Sequence, residues 1–344
     1  MHPSTASALA FAAIVMAASA AAAQTPLSDA ASSFLATLNA DEHAEATWPF
    51  QDRERLGIHY APVDLEGLRH GGLEAPKHQA GEDLLARTLS ARGLEKVRAI
   101  RLLERDVRAL EAGLSRPAGF RDPGRYHWAF FGTPTVDAPW GYRYEGHHLS
   151  LNITAVPDKP AASLPLFLGA QPREVPAGLP SAGVAALGKE EALARELYAS
   201  LDDDQRDLAT LPFKAGRGHM VGQVPTLASP APVGLPFPRM MPAQQGQLIA
   251  LLREFATFWN TAIAAERLAE IDAARDSLHF AFVARDDPPF SFYVRIQGQG
   301  VLLEIDNTAG GDHVHAVWHR PGDDFGQNLL AAHLRQHHRA IASQ

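Results

Sequence analysis

The sequence predicts an α+β fold in which two pseudo-repeated modules, each of antiparallel strands flanked by helices, share one core. Three patterns predict it. Segments with apolar residues at helical spacing stand apart from segments that alternate, or cluster aromatic residues, between turn signals. The strand-like runs near the C-terminus are joined by connections short enough for an antiparallel meander. Residues 126–154 also superpose without a gap on residues 278–306 at an offset of 152. The identical pairs are His127/His279, Ala129/Ala281, Phe130/Phe282, Arg143/Arg295, Gly146/Gly298, Leu151/Leu303 and Ile153/Ile305, and a repeat of this kind is a prior for architecture.

Taken in order, the chain opens on MHPSTASALAFAAIVMAASAAAA, which has no charged side chain, is apolar from Ala8 to Ala20 and ends in small residues. This is the pattern of a secretory signal cleaved near Ala23. Residues 24–344 then read as a single domain with internal modules at about 82–200 and 243–341. DAASSFLATL reads as a short helix, and residues 82–114 carry apolar positions at helical spacing over two helices. Between them lies WPFQDRERLGIHYAPVDLEGLRHGGL, an ordered but irregular loop by its proline and glycine content. RYHWAFFG, WGYRYEG and HHLSLNITAV read as strands. A helix fits Lys189 to Ser200, and a shorter one follows with Ser200 or Asp202 as its cap.

The stretch from 213 to 242 is too rich in glycine and proline for regular structure and suits a lid or a linker. Helical periodicity returns from Ala243 to Ala274. Four strands then follow, SLHFAFVA, FSFYVRIQG, VLLEIDN and HVHAVWH, and a final helix from Gly326 to Ile341.

Of the 344 residues, 46% are hydrophobic and 20% charged, enough apolar mass for one large core or two smaller ones. The net charge of -8, with no basic run, excludes nucleic acid as a partner and leaves a small-molecule substrate as the expected one. No later segment supplies the ~18 uninterrupted apolar residues of a membrane span. Cysteine is absent, which excludes a thiolate nucleophile, an iron–sulfur cluster and a thiolate zinc site. Any metal must be held by histidine and carboxylate.

The repeat sorts the histidines. His127 and His279 occur in both copies, so packing explains them. His147 and His148 stand opposite Gln299 and Gly300, and His313 and His315 opposite Ala161 and Ser163, so nothing in the repeated packing demands them. On a strand, His313 and His315 project from one face, roughly 6 to 7 Å apart at Cα, close enough to share an ion. They are half a site. His147 and His148 point to opposite faces of a regular strand, so one of them is expected to join the pair. Glu304 and Asp306 share a face of the neighbouring strand, and either suits a ligand, a partner to an imidazole or a general base. Asp312 precedes the pair and fits the same supporting roles. His-x-His also occurs on ordinary solvent-facing strands. Nothing points at a particular serine as nucleophile, Ser150 being the least poor candidate.

WGYRYEGHHLSLNIT, PLFLGAQP, YVRIQGQGVLLEIDN and HVHAVWHRPGDDFGQNLLAAH together resemble an uncharacterised, mostly bacterial family, the domain of unknown function 3500. The resemblance covers nearly all of the chain after the signal. It implies a single domain, often with a secretion signal, and brings no established reaction. It places the family's characteristic residues at Gly146, His147, His148, Asn152, Glu304, His313, His315, Asp324 and His333. The chain departs from the family at Asp312, His319 and Gln299, where Asn, Arg and Pro are usual.

The expected function is a secreted metal-dependent enzyme. One divalent ion, zinc or copper, would be held by His313, His315 and either His147 or His148. Glu304 and Asp306 would take the catalytic roles, with Asp312, Asn152, Asp324 and His333 supporting the site or lining the substrate. Zinc would favour hydrolysis and copper redox chemistry. A non-catalytic metal-binding or interaction protein is the reading from another class.

Overall fold

A computed structural model describes residues 25–117, 119–211, 231–284, 291–307, 310–328 and 330. Eleven strands form one sheet: β1 (Thr47–Trp48), β2 (Leu68–Arg69), β3 (Tyr126–Phe131), β4 (Trp140–Gly146), β5 (Leu149–Ala155), β6 (Leu166–Ala170), β7 (Leu235–Pro236), β8 (His279–Ala284), β9 (Phe292–Gly298), β10 (Val301–Asp306) and β11 (Val314–His319). Their spatial order is β1-β3-β4-β5-β6-β11-β10-β9-β8-β7, with β2 beside β3. Apart from the parallel pair β1/β3 the ladders are antiparallel, so the predicted α+β class holds. The predicted C-terminal meander, β8 to β11, forms, and β3 to β6 make another. The registers Tyr126↔Gly146, Gly141↔Thr154 and Leu151↔Leu166 recur as Leu278-side β8/β9, β9/β10 and Leu303↔Trp318 pairings shifted by the same offset.

The strand at the junction, β6, escapes an alternation test because its five residues, LFLGA, are a short run with no polar side chain to mark a face. It pairs with β11, bringing Gly169 opposite His315 and Leu166 opposite Trp318. The two halves are thus joined at their fourth strands.

The helices are α1 (residues 25–37), α2 (Ala40–Ala46), α3 (Ala75–Thr88), α4 (Ala91–Leu110), α5 (Gly188–Ala199), α6 (Asp203–Ala209), α7 (Pro242–Ala256) and α8 (Thr261–Ala274). Asp202, not Ser200, caps α6, accepting from the Gln205 amide while the Gln205 side chain returns the bond. Ser90 and Asn260 cap α4 and α8 and face one another across the bridge Leu89↔Trp259. None of the described helices is long and apolar enough to cross a membrane.

Period-2 alternation gives the sheet two distinct faces. One carries Trp128, Tyr142, Tyr144, Leu151, Leu168, Ala316, Trp318, Leu303 and Val294 into a single large core shared with the helices. The other is mixed: Arg143, Glu145, Ser150, Asn152, Glu304 and His319 are all buried on it. The irregular loop predicted between residues 48 and 73 lies over this second face. Ile58 packs there on Phe167 and Val317 with Tyr60 alongside, and Arg55 reaches Phe325 O at 3.0 Å.

The predicted final helix is helical at 327, 328 and 330. The rest of it, His333 included, lies outside the described residues, as do the signal and residues 213–230 of the predicted lid or linker.

Candidate metal centre

His147 and His148 form the two-residue turn between β4 and β5. His148 adopts a left-handed conformation with φ 67, one that a non-glycine residue occupies at some cost in energy. The equivalent turn between β9 and β10 has Gly300 there, with φ 69. A histidine therefore takes the place that glycine fills without strain. The turn is tied down on both sides, His148 N donating to Tyr60 O at 2.9 Å and Gly169 N to His148 O at 2.7 Å.

This geometry sends the two side chains to different surroundings. The His147 ring contacts Glu104 through Nδ1. With hydrogen on Nδ1 it donates to that carboxylate, while Arg121 Nη1 lies against the ring, 3.0 Å from Nδ1 and 3.3 Å from Nε2. Its ring stacks on His148 at 3.7 Å. His148, buried, turns instead to β11: its Nε2 lies 2.7 Å from His313 Nε2, and its ring centroid is 5.2 Å from that of His315. His313 and His315 are themselves 4.5 Å apart by centroid. The approach depends on Gly169, where a Cβ would stand 2.9 Å from His148 Cδ2 and 3.0 Å from His315 Cδ2.

Nitrogen atoms of His148, His313 and His315 all lie within 4.8 Å of one another. Burial, and then the charges of His147, His315, His313 and Arg121, hold the His148 imidazole well below its ordinary pKa. It stays neutral, as a metal ligand must. By the 152-residue offset the positions matching these three are Gly300, Ala161 and Ser163, so the offset does not repeat the arrangement.

Three further groups among the described residues bring candidate ligand atoms equally close: His70, His78 and Glu82; Glu104, His147 and His148; and Glu54, His59 and Glu145. In each of these an arginine already sits on the ligand atoms. Arg101 is 3.0 Å from His70 Nε2 and 2.6 Å from Glu82 Oε1. Arg121 contacts His147, and Arg143 Nε lies 2.6 Å from Glu145 Oε1. A metal ion there would meet a fixed positive charge.

The remaining sequence candidates are placed as follows. Asp306 is the direct cross-strand neighbour of His315 on the same face. Glu304, fully buried, is engaged by the Tyr293 hydroxyl and by Arg295 Nη2 at 2.9 Å. Asp312 Oδ1 accepts from Arg173 N at 3.1 Å, at the rim of a surface hollow of about 570 Å³ lined by Arg173, Val175, Pro176 and Gly183. Asp324 pairs with His319 at 2.6 Å. Asn152 Nδ2 bridges Ser150 Oγ and Pro165 O, and Ser150, completely buried, donates to Glu145 at 3.3 Å. Sequence reasoning missed Glu104, Arg121 and Gly169. The first sits inside a helix whose apolar period masks it, and the last in the strand that lacked alternation.

Glu145 gives this face a pH dependence. Burial pushes its carboxyl up to about 7, against the pull of Arg143. Because the folded-state value is raised, its stabilising contribution is complete below the ordinary value of 4.5 and is lost as pH rises through about 7. Glu145→Gln keeps an acceptor for the His59 amide. Melts between pH 5 and 8 should show wild type losing on the order of 2–3 kcal/mol relative to this variant; parallel curves would refute the assignment.

Over residues 20–327 the chain matches the family described as Protein of unknown function (DUF3500). Neither a curated protein nor a solved structure matches it. A match of that extent, with the paired histidines and the His-x-His strand in place, makes the protein a member of the DUF3500 family.

Proposed function

We propose that the protein is an exported, metal-dependent hydrolase of a small-molecule substrate, binding one divalent ion through His148, His313 and His315. The observation that carries this reading is the convergence of three imidazoles from two distant segments, His148 and His313 being 165 residues apart in sequence and 2.7 Å apart at Nε2. The group consists of neutral donors, which leaves the full charge of the ion to act on a fourth ligand. Zinc bound by three histidines lowers the pKa of its water toward about 7 and supplies hydroxide at neutral pH. Asp306, beside His315, is the base that takes the proton, and Glu304 with Arg295 and Tyr293 fixes the charge of the neighbouring strand. The apolar, uncharged first 23 residues support export.

Purified protein lacking the signal is expected to hold close to one equivalent of zinc by elemental analysis and to cleave activated esters. Chelation should abolish both, and zinc should restore them. A folded protein that takes up no zinc or copper would overturn the metal centre. One that binds zinc but turns over no ester, amide or phosphoester would overturn the hydrolase and leave a metal-binding protein.

A further inference from the structure

Behind the histidines, α4 buries charge where the other half of the molecule does not. Ser90 N donates to Phe258 O and Asn260 N to Thr88 O, so the caps of α4 and α8 are matched positions. Counted from those caps, Arg101 and Glu104 correspond to Ile271 and Ala274, and all four are buried. The architecture is thus satisfied by apolar residues at these positions, and a buried ion pair stabilises no better than well-packed hydrophobic side chains. Glu104 therefore has a purpose other than packing.

Its contacts identify that purpose. Glu104 meets His147 Nδ1. Arg121, tethered to Glu111 at 2.9 Å, also lies against the ring, 3.0 Å from Nδ1 and 3.3 Å from Nε2. Tyr126 donates its hydroxyl to His147 O at 2.7 Å. Ring and carbonyl of His147 are fixed together, and the His148 ring stacks on that fixed surface. Adjacent residues of a tight turn share one backbone, so anchoring His147 also sets the direction in which the strained His148 points.

We propose that Glu104 is a positioning residue: through His147 it holds the turn so that the His148 imidazole meets His313 and His315. Only the second of the two readouts below rests on the metal reading. Glu104→Leu alone leaves His147 and Arg121 facing apolar surroundings and risks unfolding. The double variant Glu104→Leu/Arg121→Met removes both charges together, so that neither is left buried without the other, and is expected to keep the fold.

In metal-free wild type, a single hydrogen between His148 Nε2 and His313 Nε2 gives a downfield imidazole proton resonance. It should vanish in the double variant at an unchanged melting temperature and persist in Glu104→Gln, whose amide oxygen still accepts from His147. Cobalt titration should show affinity falling by about 10- to 100-fold in the double variant and staying within about threefold of wild type in Glu104→Gln. The resonance persisting in a folded double variant, or being absent from wild type, would overturn the proposal. Failure of wild type to bind cobalt counts against the metal centre alone, since the resonance still decides the role of Glu104.

Discussion

Replacing His313, just before β11, and His315, within it, in His313→Ala/His315→Ala, is expected to reduce bound zinc from near one equivalent to none while the chain stays folded. The magnitude follows from ligand count. Structural zinc sites of four ligands bind with about 10–16 kcal/mol, or roughly 2.5–4 kcal/mol per ligand, so each lost imidazole costs about a hundredfold to a thousandfold. His148→Asn tests the third ligand cleanly, because asparagine tolerates the left-handed backbone that His148 adopts but is too short to reach β11. Calorimetry provides a second check. Zinc at a thousand times its Kd adds about 4 kcal/mol to wild-type stability, and none of these variants should show the corresponding rise in melting temperature. A zinc-dependent rise that survives in His148→Asn would remove His148 from the site.

Gly169→Ala should also disable the centre, without touching a ligand. The added methyl would lie 2.9 to 3.0 Å from the His148 and His315 rings, closer than carbon atoms tolerate. Those rings must therefore part, or β6 must move. Overpacking of this kind costs about 1–3 kcal/mol, and the same displacement separates the nitrogens. The expected result is a lower melting temperature together with at least tenfold weaker zinc binding. Gly246→Ala is the control: it lies within α7 with nothing within 4 Å of the new methyl, and should stabilise by up to about 1 kcal/mol. Zinc affinity unchanged in Gly169→Ala would show that the rings have room to spare.

Much of this arrangement was legible in the sequence, for identifiable reasons. Strands β3 to β5 and β8 to β11 announce themselves by alternation and turn residues. The offset between the halves sets His147, His148, His313 and His315 apart as residues the repeat does not require. What alternation cannot reveal is a short strand without polar residues, and β6, LFLGA, is the one that brings the histidine segments together. The choice between His147 and His148 was equally hidden, because it turns on one backbone torsion and on a carboxylate from α4. Spacing alone gave Glu304 and Asp306 equal standing. The structure separates them, since only Asp306 stands directly across from His315, while Glu304 is enclosed by Tyr293 and Arg295.

The pairing of β6 with β11 has one last consequence. One imidazole arrives from the early part of the polypeptide and two from nearly its end, so each half by itself is blind to the ion. The three imidazoles can meet only after β11 has been made and has paired with β6. An ion held there would act as a rivet across that junction.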